Sequence, residues 1–122
     1  MGKDLSVAML FDFYGDLLTE KQAEALDLYY NQDLSLAEIA SPLGISRQGV
    51  RDAIKRGEKQ LLAYEETLGL ARRFKDVKSD VVEISQMVSQ LQRYIDTYIH
   101  SDKLSGAVAQ IEKKLSSITD KL

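Results

Sequence analysis

Positively charged and amide side chains are concentrated between Ser46 and Lys59, and they are the residues of this chain with the clearest chemical use. On a helix, Arg47, Gln48 and Arg51 occupy the first two turns, where Arg and Gln side chains reach base edges in a DNA major groove. Lys and Arg residues further along such a helix more often hold phosphates. The residues expected to contact nucleic acid are Ser46, Arg47, Gln48, Arg51, Lys55, Arg56 and Lys59. The alternative is a solvated cationic surface on an ordinary helical hairpin.

The flanking residues predict two helices that meet at a tight turn. Ser35, with Glu38 three residues later, is the capping-box pattern of a helix start. Gly44 can adopt the positive φ of a sharp turn, and Ser46 can cap the second helix by accepting from its free backbone N–H groups. Pro42 disfavours helical geometry before it, so we expect a kink or an early end there, with the turn retained. The pattern is that of a helix-turn-helix.

The second motif helix is expected to run on to Gly69, which offers a C-cap. Two glycines lie inside it, and each costs about 1 kcal/mol relative to alanine. Gly49 suits the close approach of a ligand backbone, and Gly57 suits the close approach of a neighbouring helix. Tolerance of a small residue explains both positions equally well.

Two segments before the motif are expected to form its supporting core. Apolar residues follow helical spacing over residues 5–18, and Thr19 is a good N-cap for a second helix that extends to Tyr30. We interpret the tyrosines of these segments as residues at the edge of the core. The first domain therefore covers residues 1–69, with the helix-turn-helix motif at about 35–59.

A sustained heptad pattern covers residues 70–122. Apolar residues alternate at spacings of four and three up to Tyr98, and the same alternation resumes at Leu104. The interruption at residues 100–103 predicts a long C-terminal helical hairpin that resembles a coiled coil. Its apolar stripe is wider than one partner helix would cover, so we expect a homodimer through residues 70–122. The alternative is that the hairpin folds back onto the first domain.

Composition restricts the class of protein further. The chain has 122 residues, of which 44% are apolar and 29% are charged, and a single proline favours long helices in an all-α protein. The longest apolar run, Val7 to Phe11, is too short to span a membrane, so we expect a cytoplasmic protein with no membrane partner.

Net charge is −3, yet the charge is unevenly distributed along the chain. Residues 46–60 contain five basic and two acidic residues, whereas residues 1–32 contain two basic and six acidic residues. This polarity is compatible with nucleic-acid binding that is weak without a specific site and steeply dependent on salt.

Catalytic chemistry finds little support in the residue types present. His100 is the only histidine and there is no cysteine, so neither a thiolate metal site nor a His-based triad can be assembled. No Gly-rich phosphate loop precedes a Lys-Ser or Lys-Thr pair. We therefore expect no enzymatic activity, no cofactor and no metal ion.

A resemblance to known families covers essentially the whole chain. The run LTEKQAEALDLYYNQDLSLAEIASPLGISRQGV resembles the fourth region of bacterial sigma factors. With RDAIKRGEKQLLAYEETLGL after it, the chain resembles the YlxM family of small helix-turn-helix proteins, most densely from Tyr29 to Leu70. Gly49 stands where alanine is more usual, and Pro42 is a second departure. The resemblance implies a sigma region 4-like helix-turn-helix domain.

The resemblance also implies a function. Members of this family are cytoplasmic bacterial proteins, usually encoded beside components of the signal recognition particle, and are regarded as regulators in that pathway. We therefore expect a DNA-binding regulatory protein, with DNA favoured over RNA. The alternative is a non-catalytic accessory module that binds the RNA or the GTPase of the signal recognition particle with the same basic residues. A further alternative is that the hairpin does the binding.

Overall fold

The computed structural model describes residue 3 and residues 5–122, so Met1, where the predicted first domain begins, lies outside the described residues. The described part of the chain consists of helices and helical turns without a strand, which confirms the all-α fold. Its α-helices are α1 (Leu5–Tyr14), α2 (Glu20–Leu26), α3 (Leu36–Leu43), α4 (Arg47–Leu68), α5 (Leu70–Tyr94) and α6 (Asp102–Lys121). None of the helices in this part is long and apolar enough to cross a membrane.

Short helical turns of other kinds extend three of these helices. A 3₁₀ turn (Gly15–Leu17) follows α1, and π-helical turns follow α2 (Asp27–Asn31) and α5 (Ile95–Ile99). By its internal contacts the chain divides into two compact units, Met1–Ala71 and Arg72–Leu122. That these units act as separate domains stays a prediction.

Side-chain caps fix where the motif helices begin. The Ser35 Oγ accepts a hydrogen bond from the Glu38 N–H at 3.1 Å, and the Ser35 N–H donates to Glu38 Oε1 at 3.1 Å, as the capping-box pattern predicted. The Ser46 Oγ accepts from the Gly49 N–H at 3.0 Å and caps α4. Between the two helices Gly44 has a φ of 65°, a conformation that costs other residues about 1–2 kcal/mol.

Helix α3 passes through Pro42 and ends one residue later, at Leu43. The early end expected at this proline is therefore displaced only slightly, and the turn is retained. Pro42 has no N–H to donate to the Glu38 carbonyl four residues earlier, so α3 lacks one backbone hydrogen bond in its last turn. Helix α4 then runs without interruption to Leu68, and Gly69 caps it in the left-handed conformation, with a φ of 63°, as predicted.

Helix α4 supplies the centre of the first unit's core. Val50, Ile54 and Leu61 are each 0% exposed on one side of this helix. They pack against buried residues of the preceding elements and of the start of α5: Val7, Leu10, Tyr14, Ala25, Leu26, Tyr29, Ile39 and Ala71. Burial of each large apolar side chain stabilises the fold by roughly 1.5–3 kcal/mol.

Tyr14 lies deeper than the core-edge position expected for it. Its side chain is only 1% exposed, and its hydroxyl donates to Glu65 Oε1 at 2.6 Å and accepts from the Leu70 N–H at 3.0 Å. Burial, followed by the hydrogen bond to Glu65, raises the pKa of Tyr14 above its usual value. The same Glu65 oxygen accepts from the Ala71 N–H at 3.1 Å, so this pair ties α1 to the first residues of α5.

The second unit contains the predicted long C-terminal helices. His100, with a φ of 54°, ends the π turn after α5, and the Ser101 Oγ caps α6 by accepting from the Leu104 N–H at 3.2 Å. Gln92 donates to the Ser105 Oγ at 3.3 Å across the hairpin. Only part of the heptad seam is buried between the helices: Val81, Val88, Ile95, Val108 and Leu115.

Candidate nucleic-acid interface

Helix α4 presents its core residues on one side and the predicted contact residues to solvent. At 1.5 Å per residue its 22 residues extend for about 33 Å. Every residue predicted to contact nucleic acid is exposed: Ser46, Arg47, Gln48, Arg51, Lys55, Arg56 and Lys59. Packing of the buried residues sets the orientation of α4, and this orientation determines which way the exposed residues of the same helix face.

The three residues predicted to read bases lie together. Arg47, Gln48 and Arg51 line one shallow groove with Leu36, the first residue of α3. We call these four residues the α4 groove. Guanidinium and amide groups at the start of the second helix of such a motif have the donors and acceptors that base edges require.

Arg56 is not part of this group. It lies five residues after Arg51, which is about 140° around the helix axis. It lines a separate depression with residues at the start of α2, among them Thr19 and Lys21. The basic residues therefore lie on two sides of α4. Lys21 adds a cation beside Arg56, although it was not among the residues predicted from the sequence.

Ser46 serves the backbone first. Its Oγ accepts from the Gly49 N–H at 3.0 Å and so holds the first turn of α4 in place. Direct contact between Ser46 and nucleic acid stays a prediction.

Gln48 already has a partner inside the protein. Its Nε2 donates to Asp52 Oδ1 at 3.1 Å, one helical turn further along. Residues four apart on a helix are neighbours, so this pair could have been predicted from the sequence. The sequence-based prediction did not include it. Because bidentate adenine recognition needs both the amide N–H₂ and the carbonyl of Gln48, the bond to Asp52 competes with base reading.

The other acidic residue in this stretch of α4 is held by a different element. Glu58 Oε1 accepts from the Tyr30 hydroxyl at 2.6 Å, and Tyr30 belongs to the π turn after α2. Glu58 is half-buried, whereas Asp52 is exposed among the predicted contact residues. Asp52 is therefore the carboxylate that repels an approaching phosphate most directly.

Lys3 organises a polar depression beside Arg47. Its Nζ lies 2.7 Å from Asp33 Oδ1, donates to the Leu34 carbonyl at 3.2 Å and sits 4.4 Å from the centre of the Tyr29 ring. The hydrogen bond from Lys3, and then its charge, lowers the pKa of the Asp33 carboxyl below its usual range. Lys3, Asp33 and Arg47 line the same depression, so a carboxylate lies close to one edge of the α4 groove.

The two glycines of α4 face different neighbours. A Cβ at Gly57 would lie 2.6 Å from Leu26 Cδ1. The close approach of α2 to α4 therefore depends on the absence of a side chain at Gly57. This contact supports the predicted approach of a neighbouring helix at Gly57. A Cβ at Gly49 would meet the Ser46 Oγ at 3.3 Å, within the motif itself, and the approach of a ligand backbone there stays a prediction.

Metal coordination has no preformed site in the described residues. Within residue 3 and residues 5–122, no three His, Cys, Asp or Glu side chains are grouped so that they could hold a metal ion. That the protein is not an enzyme and needs no cofactor stays a prediction, although a helix-turn-helix family is typically non-enzymatic.

Comparison with known proteins gives a consistent result. Residues 1–101 match the family UPF0122, described as "Putative helix-turn-helix protein, YlxM / p13 like". A UPF0122 protein of Acetivibrio thermocellus is 42% identical over 120 residues, which are 98% of this chain and 99% of that protein. A UPF0122 protein of Clostridium kluyveri is 46% identical over 91 residues, or 75% of this chain and 82% of that protein.

A third relative, a UPF0122 protein of Clostridium perfringens, is 41% identical over 103 residues, covering 79% of this chain and 92% of that protein. The family match includes all of α4, and the match to the Acetivibrio protein extends across the hairpin. The resemblance inferred from the sequence is thereby confirmed, and this chain belongs to the YlxM/p13-like helix-turn-helix family UPF0122.

Proposed function

We propose that this protein is a DNA-binding regulator that inserts the first turns of α4 into a major groove. The observation that carries the proposal is the α4 groove, where Arg47, Gln48 and Arg51 are exposed side by side. These side chains lie at the start of the second motif helix, the position from which base edges are reached. The proposal places the protein in the cytoplasm, where bacterial DNA is accessible.

The remaining cations have a different role in this proposal. Lys55 and Lys59, one turn apart and exposed, hold phosphates beyond the base-reading turns, and Arg56 with Lys21 holds phosphates on the opposite side of α4. Ser46 keeps the first turn in place. As the exposed residue directly before Arg47, it contacts the phosphate backbone of the DNA in this proposal. Together these contacts give affinity and orientation, while the α4 groove gives sequence preference.

A second candidate is a non-catalytic module that binds the RNA or the GTPase of the signal recognition particle. The hydrogen bond between Gln48 and Asp52 favours it, because an occupied amide reads bases less readily while the surrounding cations remain able to bind phosphates. The deep major groove of A-form RNA resists helix insertion, so RNA would be bound through its shape and phosphates. The link to this particle rests on the family resemblance.

A titration by fluorescence anisotropy tests the proposal. The purified protein is titrated into a mixed pool of duplex DNA and, separately, into signal recognition particle RNA, at several salt concentrations. The variant Arg47→Ala/Arg51→Ala removes two cations of the α4 groove. Its matched control is Lys75→Ala/Arg93→Ala, which removes the same charge from exposed positions on α5.

The proposal predicts tighter binding to DNA, lost in the groove variant and kept in the control. Loss of two phosphate or base contacts would also reduce the slope of log K against log salt by up to about 1.8, at about 0.9 per contact. If the protein reads DNA directly, Gln48→Ala changes sequence preference by about 1–3 kcal/mol at one base pair. Tighter RNA binding that is insensitive to Gln48→Ala would select the second candidate. No binding to either nucleic acid at low salt would refute nucleic-acid binding by α4 and leave only the GTPase form of the second candidate.

A further inference from the structure

The hairpin of α5 and α6 has an apolar surface that its own two helices leave uncovered. The side chains concerned are between 43% and 72% exposed. They are Val77, Ile84, Met87, Leu91, Tyr94 and Tyr98 of the first helical segment and Leu104 and Ile111 of the second. We call these eight residues the apolar face.

Both helices contribute to the same side of the hairpin. On α5 the exposed Ile84 precedes the buried Val88 by four residues, and on α6 the exposed Leu104 precedes the buried Val108 by four residues. The exposed position is thus rotated from the buried one by the same 40° and in the same sense on each helix. Because the helices run in opposite directions, this equal rotation turns both stripes towards one side.

The opposite side of the hairpin is mainly polar, although it includes the exposed Val82. A groove there is lined by Ser85, Ser89, Glu112, Leu115, Ser116, Thr119 and Asp120. The hairpin therefore has one mainly polar side and one apolar side. A hairpin surrounded by water would be expected to have polar residues on both sides. At roughly 100 Å² for each exposed side chain, the apolar face offers on the order of 800 Å², which is about what one partner contributes to a standard protein interface.

Charged residues border the apolar face, and they differ in sign between the two helices where α5 and α6 are level with each other. Asp76, Asp80 and Glu83 lie along the outer edge of α5, and Lys103, Lys114 and Lys121 lie along the outer edge of α6. All six are exposed, and within the described residues none of them forms an ion pair.

The levels of these charges along the hairpin also match. Gln92 contacts Ser105, which fixes the register between the two antiparallel helices. Nine residues away from this contact along each helix, Glu83 is level with Lys114. Sixteen residues away, Asp76 is level with Lys121. Within one chain these pairs are kept apart, because they lie on the two outer edges of the hairpin.

We propose that the apolar face binds the apolar face of a second copy of this chain, with α5 of each subunit beside α6 of the partner. A twofold axis parallel to the helices produces this four-helix bundle and preserves the levels along it. It places Glu83 beside Lys114 of the partner subunit and Asp76 beside Lys121 of the partner subunit. The other face-to-face arrangement pairs α6 with α6 and brings lysine-rich edges together, which opposes association.

The apolar contact is tested with two substitutions on α5. Ile84→Glu places a carboxylate in the centre of the apolar face. Val82→Glu is its matched control, because Val82 is similarly exposed, at 51%, but lies about 160° around the helix. Molar mass is measured by light scattering and sedimentation velocity without nucleic acid, so the result is independent of the proposed function, and circular dichroism checks that each variant is helical.

The proposal predicts twice the mass of the 122-residue chain for the wild type and the Val82→Glu variant, and a helical monomer for Ile84→Glu. The proposal would be overturned if the wild-type protein were monomeric both in a millimolar stock and after 100-fold dilution of that stock. A dimer that survives Ile84→Glu would overturn it too, as would equal dissociation of both variants.

The arrangement of helices is tested by charge reversal. Lys114→Glu/Lys121→Glu should raise the dimer dissociation constant about 10- to 100-fold, since exposed ion pairs are weak individually and two pairs on each of two edges are reversed. Adding Asp76→Lys/Glu83→Lys to the same chain should restore the affinity. If the lysine reversal leaves the dissociation constant unchanged, the proposed pairing of α5 with the partner's α6 is wrong.

Discussion

Removal of Asp52 should strengthen nucleic-acid binding, although Asp52 makes a stabilising hydrogen bond in the free protein. Its Oδ1 accepts from Gln48 Nε2 at 3.1 Å, and an exposed pair of this kind stabilises a helix by about 0.2–0.5 kcal/mol. Binding that uses both polar atoms of Gln48 must give up this energy. The Asp52→Ala variant lacks this hydrogen bond already in the free protein. Its α4 is therefore slightly less stable, but binding no longer has to break the bond.

The charge of Asp52 adds a second contribution. A carboxylate about 10 Å from a phosphate in water is repelled by about 0.4 kcal/mol before salt screening. Together the two effects predict binding that is tighter by about 0.5–1 kcal/mol, or roughly two- to fivefold, at low salt. Higher salt should reduce the charge part and leave the hydrogen-bond part unchanged.

Anisotropy titrations of four proteins separate the two effects: wild type, Asp52→Ala, Gln48→Ala and the double variant. In the Gln48→Ala background the gain from Asp52→Ala should fall to the charge part alone, roughly a factor of two. Glu66→Ala is the matched control, because it removes an exposed carboxylate from the same helix about 21 Å further along. Weaker binding by Asp52→Ala would refute the reasoning, since it would show that Asp52 positions Gln48 for the ligand or contacts a base itself.

Three further predictions concern the scaffold of the site. Ser46→Ala removes the cap of α4 and should lower the free energy of unfolding by about 1 kcal/mol, measured with urea. Gly44→Ala forces a side chain into a φ of 65° and should cost about 1–2 kcal/mol in the same assay, whereas an unchanged midpoint would show that the turn rearranges. The lowered pKa of Asp33 means that its contribution to stability is complete above its unfolded pKa of about 4 and is lost as pH falls through the lower folded value. Lys3→Met should therefore raise the pKa of Asp33 towards its usual range, which carboxyl carbon NMR titration can follow.

Local signals in the sequence were sufficient for the boundaries of the motif. The cap at Ser35 and the turn at Gly44 depend only on residues within four positions, so their geometry could be predicted without the rest of the chain. Contacts between distant segments could not be predicted in this way. Tyr14 and Glu65 are 51 residues apart, and nothing in their local patterns indicates a hydrogen bond between them.

The heptad seam shows a different limit of prediction. Periodicity identified both Ile84 and Val88 as seam positions, but it does not say which of the two a single hairpin buries. The packing of α5 on α6 covers Val88 and leaves Ile84 exposed, because a two-helix contact is narrower than the stripe. At the candidate site, residue types indicated which side of α4 is exposed, and helical periodicity alone separates Arg56 from Arg51. The position of Lys21 beside Arg56, in contrast, depends on the packing of α2 against α4.

The continuity of α4 determines how the candidate surface behaves before a ligand arrives. Ile54 is 0% exposed on the helix that also presents Arg51 and Lys55 to solvent. Backbone amides in this part of α4 can exchange their hydrogens with solvent only when the core of the first unit opens, so they should be among the slowest to exchange. The ligand then meets a helix that is already ordered, and the heat-capacity change on binding should reflect the contact area alone, without a folding contribution.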